Sequence, residues 1–293
     1  MFYQNSKIEQ INFDFNFKQG NICSCNSMFA YCNKLKEING KINNFKPSYI
    51  QYFFYNCYNL RYLPNMDDID FSYNYDNSIS CAYLFQNCYS LRNVSKTLLK
   101  KIYQPKNTGY YYSCFLSEFN NCYALDEVIG LNPQTGTITS NMFDNTFYNC
   151  SRVKNIIFLL QEDGTPYTVK WKSQVINLSN WVGYTSATSH ILNYNSGITA
   201  DKEVKDDASY QLLKNDPDWF ATKREYSRYN HDSAVATINS LPDTSAYLAS
   251  AGGTNTIKFE GQAGASTDGG AINTLTEEEI AVATAKGWTV SLV

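Results

Sequence analysis

The sequence predicts an α/β repeat stack, each unit giving a short helical turn and a short parallel strand, with an irregular insertion in the middle. Two observations carry this. One phrase recurs six times in the first half of the chain: MFYQNSKIEQI from Met1, MFAYCNKLKEI from Met28, FFYNCYNLRYL from Phe53, LFQNCYSLRNV from Leu84, EFNNCYALDEV from Glu118 and TFYNCSRVKNI from Thr146. The C-terminal end of the chain then shows a helix followed by a strand, twice. Repetition at intervals of some tens of residues marks units that bury their apolar faces on one another rather than around one compact centre.

Each copy places an aromatic three residues before a cysteine, or before Asn5 in the first copy, with aliphatics at six and nine residues after the aromatic. Phe29 and Cys32 share a face if the residues between them form one helical turn. Leu35 and Ile38 then flank polar Lys36 and Glu37, as Leu60 and Leu63 or Leu125 and Val128 flank theirs, which suits a brief extended segment. Cysteine is small and among the most buried residue types, so Cys32, Cys57, Cys88, Cys122 and Cys150 are expected as anchors where one unit packs on the next. These anchors lie 25 to 34 residues apart, so the phrase keeps its length while the connections vary as loops.

The phrases FYNCYNLRYLP (54–64) and FYNCSRVKNI (147–156) resemble the BspA-like branch of leucine-rich repeats. The resemblance covers about residues 1–160. It implies a curved leucine-rich-repeat solenoid used for binding and adhesion, and it implies no catalytic residues. The first copy departs from the pattern at Asn5, and a solenoid ordinarily carries a polar capping unit at each end. Met1, Phe2, Ile8 and Ile11 occupy inward positions there, so residues 1–25 are expected to contact another chain.

The chain has 293 residues, room for two domains. At 15% aromatic and 43% hydrophobic it is not disordered by composition, and a net charge of −3 argues against nucleic acid as the main partner. All nine cysteines lie between Cys23 and Cys150. An odd number set by repeat register predicts buried free thiols rather than a disulfide framework. Cys23 and Cys25 form a CxC, for which zinc is the alternative, but the spacing of typical zinc ligands is missing and no metal or cofactor is expected. MFYQNSKIEQ lacks the basic and apolar regions of a signal peptide, and no long apolar run predicts membrane insertion.

Beyond about residue 160 cysteine vanishes. We divide the chain into residues 1–160, the repeat region; 161–230, a strand-rich then helical insertion or linker; and 231–293, C-terminal helix–strand units. In 158–182 apolar and polar residues alternate around Asp163-Gly164, a hairpin signal that predicts two or three strands. Residues 198–230 predict a helix broken near Asp216-Pro217. HDSAVATINSL (231–241) predicts a helix capped by Asp232 or Ser233, and TIKFEG (256–261) a strand. Thr276 with Glu279 forms a capping box, Gly287 stops that helix, and WTVSL (288–292) predicts a strand. The phrase ATAKGWTV (283–290) resembles terminal units of repeat proteins on gut bacterial surfaces and in virions of their phages.

Candidate chemistry is sparse. His231-Asp232 suggests an acid–base pair, but no nucleophile accompanies it. Asp67, Asp68 and Asp70 could serve a carboxylate-based glycan hydrolase, though adjacent loop acids are ordinarily solvated charge. The glycine-rich stretches 252–256 and 261–270 lack a phosphate-binding signature. Tyrosine is the more informative residue, because it offers contact area at low entropic cost and a hydroxyl. Tyr55, Tyr58, Tyr89, Tyr110, Tyr111, Tyr112 and Tyr123 are the candidate binding residues. The expected function is non-enzymatic recognition by a phage virion protein of tail, fibre or baseplate, meeting a cell-surface protein or glycan or other virion proteins. The alternative is a bacterial cell-surface adhesin.

Overall fold

The computed structural model describes residues 2–66, 68–71, 81–102, 115–122, 124–133, 136–148, 150, 153, 155–178, 231–259 and 275–292. Across these residues the protein is mixed α/β, with short strands in small parallel sheets and few helices. In chain order they are β1 (Gln10–Ile11), β2 (Phe15–Asn16), β3 (Cys23–Ser24), β4 (Glu37–Ile38), β5 (Ile42–Asn43), β6 (Pro47–Tyr49), α1 (Lys96–Lys101), β7 (Glu127–Leu131), β8 (Thr137–Ile138), β9 (Asn155–Phe158), β10 (Lys170–Trp171), β11 (Val175–Asn177), α2 (His231–Ser240), α3 (Ser245–Ala251), β12 (Asn255–Phe259), α4 (Glu277–Ala285) and β13 (Trp288–Leu292).

The six phrases lie one upon the next. Their first halves are pairs of hydrogen-bonded turns rather than the helical turns expected from spacing. Cys32 N–H donates to Phe29 O at 3.1 Å, and Leu35 N–H to Cys32 O at 3.0 Å. The residue before the anchor is left-handed, with φ of +63° at Tyr31, +60° at Asn56, +63° at Asn87 and +61° at Asn121, and a second left-handed residue lies four positions earlier at Ser27, Tyr52, Tyr83 and Ser117. A right-handed helix cannot pass through such residues, which is why the phrase turns twice and then extends.

The same atoms join each phrase to its neighbour. Backbone N–H groups of Phe29, Phe54, Phe85 and Phe119 donate to Phe53, Leu84, Glu118 and Thr146 carbonyls at 3.0–3.2 Å. Each anchor thiol reaches back to the aromatic carbonyl of the preceding phrase: Cys32 to Phe2, Cys57 to Phe29, Cys88 to Phe54, Cys122 to Phe85 and Cys150 to Phe119, at 3.0–3.1 Å. Asn5, in the first described turn, instead accepts from the N–H groups of Lys7 and Ile8 at 3.2 Å. That local turn is a physical reason for asparagine in place of cysteine.

Apolar packing follows the same rows. Phe2, Phe29, Phe54, Phe85, Phe119 and Phe147 form one continuous stack with centroids 5.3–6.1 Å apart and planes within 12°. Burying a phenylalanine contributes about 1.5–3 kcal/mol, so this row and the aliphatics Leu35, Leu60, Leu91 and Leu125 beside it dominate the stability of the region. A buried amide row runs parallel to it, with Asn87 Nδ2 donating to Asn56 Oδ1 at 2.6 Å and Asn121 Nδ2 to Asn87 Oδ1 at 2.7 Å. The second halves pair as parallel strands: β1 with β4, Glu37 with Tyr62, Asn93 with Glu127, and β7 with β9. A Cβ at Gly40 would lie 2.0 Å from Phe13 O, so only glycine lets these two turns approach.

Past β9 the core continues without a break through Phe143, Phe158, Trp171 and Trp288. Helix α2 closes the edge of β9: Thr237 Oγ1 donates to Ile156 O at 2.7 Å, and Ser240 Oγ accepts from Phe158 N–H at 3.0 Å. Asp232 and Ser233 lie inside α2 rather than capping it, because the helix already includes His231. The Asp163-Gly164 turn forms as expected, with Asp163 Oδ1 accepting from Thr165 N–H at 2.9 Å and Gly164 at φ +81°. Its flanks make only an isolated antiparallel bridge, Leu160 with Pro166. The strands that follow pair in parallel with distant segments, β10 with β8 and β11 with β12 and then β13. Strand pairing therefore joins 175–177 to 256–258 across the expected boundary at 230/231. The capping box at Thr276 and Glu279 is present, and Gly287, at φ +83°, has no room for a Cβ beside Thr244. The predicted helix over 198–230 lies outside the described residues.

Candidate functional site

The tyrosines divide by turn position. Where tyrosine occupies a left-handed position, or the place two before the anchor, its ring lies at the surface or half-buried, whereas Asn56, Asn87 and Asn121 at the left-handed position before the anchor are buried. Tyr3, Tyr31, Tyr55, Tyr52 and Tyr83 form a chain of touching rings, with successive centroids at 5.7, 5.4, 5.4 and 4.8 Å. Tyr3 is 52% exposed and Tyr31 38% exposed, while Tyr52, Tyr55 and Tyr83 are half-buried. Burial, with the phenols of Tyr83 and Tyr31 nearby, raises the pKa of Tyr52. Tyr58 and Tyr89, just after the anchor, stack on each other at 4.7 Å. Tyr89 is 3% exposed, so of the expected binding residues it offers a partner almost no surface; burial between turns is the physical reason. Tyr110, Tyr111, Tyr112 and Tyr123 lie outside the described residues. Sequence reasoning singled out Tyr55 but not Tyr3, Tyr52 or Tyr83, because no spacing rule separates an outward ring from an inward one when the intervening backbone is left-handed.

The anchor cysteines are buried and unpaired. Burial pushes their thiols up, to about 11 at Cys32 and well above the ordinary range at Cys57 and Cys122. They are hydrogen-bond donors in an apolar row, not nucleophiles. Cys23 differs: it is half-buried and lies beside a cavity of about 520 Å³ at the N-terminal turn, lined by Phe15, Phe17, Cys25 and Met28 among others. Around that turn Tyr3, Phe13 (54%) and Ile22 (46%) are exposed, and Phe2 and Ile8 are partly covered.

Of the ionisable candidates, His231 and Asp70 are held in pairs. His231 Nε2 meets Glu279 Oε2 at 3.0 Å and His231 Nδ1 meets Asp232 Oδ1 at 3.4 Å, tying α2 to α4. The hydrogen bond to Glu279 is the main cause of a raised His231 pKa, and Glu279 is lowered chiefly by accepting from Thr276 N–H. Asp70 pairs with Lys46 at 3.3 Å and Asp68 is exposed, while Asp67 lies outside the described residues. Among the described residues no helix is long and apolar enough to cross a membrane, and no group of three or more His, Cys, Asp or Glu side chains is placed to hold a metal ion. Sequence reasoning also missed a buried amide joint: Gln174 accepts from Met142 N–H at 3.0 Å, and its own N–H donates to Asn255 Oδ1 at 2.9 Å.

Comparison of the chain with protein-family models, with curated proteins and with solved structures finds no match.

Proposed function

We propose that the stacked phrases are a leucine-rich-repeat solenoid of the BspA-like kind, and that the chain is a non-enzymatic recognition module. The observation that carries this reading is the five-ring tyrosine chain displayed on a backbone fixed by hydrogen bonds between every pair of turns. A rigid scaffold presenting amphipathic aromatic rings binds with little loss of side-chain entropy. The ionisable side chains support the same reading, since His231 and Asp70 are held in pairs that join structural elements.

We place the module in a phage virion, as a tail, fibre or baseplate component, on the resemblance of ATAKGWTV (283–290). The exposed apolar side chains of the first turn, Phe13 and Ile22 among them, favour docking of residues 1–25 on another chain. The test presents the full chain to an array of cell-surface glycans and proteins, with turnover assayed on the same ligands. Saturable binding without turnover is expected; turnover of any ligand, or binding to none, overturns the reading. Sedimentation that shows a monomer indifferent to Phe13→Ser overturns the docking of the first turn.

A further inference from the structure

The tyrosine chain has properties that a general binding surface does not require. Tyr31, Tyr52 and Tyr83 sit at φ of +63°, +59° and +63°. Asparagine fills Tyr31's place in other turns, at Asn56, Asn87 and Asn121, and Ser27, Ser117 and Asn145 fill the place of Tyr52 and Tyr83. Asparagine tolerates the left-handed region, whereas a bulky aromatic there is strained, and strain of this kind concentrates where a side chain has a task. Stability alone would select a small polar residue at these positions.

What the surface offers is narrow in kind. The backbone N–H groups of Tyr31, Tyr52, Tyr55 and Tyr83 donate to Tyr55, Ala82, Tyr52 and Leu116 carbonyls, so they do not serve an added peptide strand. The accessible flanking residues Gln4, Ser27, Gln51 and Gln86 are neutral, so a charged polymer finds no countercharge among them. The rings follow the stack over four successive turns, with Tyr52 and Tyr55 both in the third, at near-regular separations of 4.8–5.7 Å. A globular partner calls for a broad patch with a dry centre; a line of rings suits a line of repeating units. Each unit must bring a C–H face to lie on a ring and hydroxyls to meet phenols and amides.

We propose that Tyr3, Tyr31, Tyr55, Tyr52 and Tyr83 form a track for a linear neutral glycan lying along the stack. The proposal rests on the reading of the chain as a binding module. The test is titration of the full chain with linear neutral oligosaccharides of increasing length from the glucan, mannan and galactan series, with polygalacturonate as the anionic comparison. Affinity rises with length until the oligosaccharide spans the track, and is insensitive to salt. Tyr31→Asn combined with Tyr52→Asn lowers affinity about tenfold or more, as loss of two anchoring rings does. The same variant melts at the same temperature or higher, because asparagine relieves the backbone, so the loss is not unfolding. Tyr49→Ser and Tyr62→Ser, exposed rings off the track, bind as the parent does. The track assignment falls if the double variant binds as the parent does, if polygalacturonate binds more tightly, or if the variant instead loses a protein ligand. In each of those cases the binding module stands. Absence of binding to any glycan or protein overturns both.

Discussion

The two ends of the stack are finished differently. At the C-terminal end the last strand, β9, meets α2, whose Thr237 and Ser240 hydroxyls take up Ile156 O and Phe158 N–H, and the core runs on into Trp171 and Trp288. At the N-terminal end the first described turn leaves Phe13 54% and Tyr3 52% exposed beside an open cavity. Both ends begin from the same repeated phrase, so the phrase does not decide how an end is treated. A short polar helix with two well-placed hydroxyls converts the edge of β9 into an interior, while Phe13 and Tyr3 of the first described turn stay exposed.

That contrast can be broken by mutation. The largest effect is expected at the centre of the phenylalanine row: Phe54→Ala removes a ring with 0% exposure and destabilises by about 3–5 kcal/mol in urea unfolding. Phe2→Ala, at the half-covered end of the same row, costs well under half as much; equal costs would mean that the N-terminal ring is as enclosed as the central one. Next, Thr237→Val keeps shape but strips the hydroxyl from Ile156 O, leaving a buried carbonyl unpaired, at about 1–3 kcal/mol. Asn5→Ala, its counterpart at the open end, loses a turn bond that water replaces, and a cost equal to that of Thr237→Val would erase the distinction between the ends.

A smaller, pH-dependent effect tests the packing of α2 on α4. His231 titrates above its ordinary value of 6.5, so its stabilisation is complete below that value and is lost as pH rises through the raised one. Glu279 titrates below its ordinary 4.5, so its stabilisation is complete above that value and fades as pH falls through the lowered one. The melting temperature therefore gains most from the pair between about 4.5 and 6.5, and His231→Gln flattens the loss on the alkaline side of that window. A wild-type profile with no fall above pH 6.5 removes His231 from the account. The smallest perturbation is chemical. With a thiol reagent on the folded protein, mapped by peptide, half-buried Cys23 labels well before Cys57, Cys88 or Cys122, whose buried thiols resist ionisation.

Much of the repeat region was legible because its cause is local. The aromatic, cysteine and aliphatic at fixed offsets read directly as inward rows, and Leu35, Leu60, Leu91 and Leu125 are all fully buried. The helical turn was misread because i and i+3 share a face in a tight turn as they do in a helix. Asparagine before Cys57, Cys88 and Cys122 was the available sign of left-handed backbone. Two-residue strands such as β8 and β10 have no period to read, and their pairing is decided by contacts across 33 residues. The tyrosine track was half legible: the rings were evident as a class, but the turn geometry that separates outward Tyr55 from stacked Tyr58 was not.

The thiol and amide rows give the stack a mechanical character. Bonds between turns point along its length, so a force pulling the first turn away from the second loads one rung at a time instead of shearing many together. Such a stack is expected to open in steps of one phrase, each re-forming against an intact template. Under load the outer turn yields and returns while Phe54, Phe85 and Phe119 stay packed beneath it.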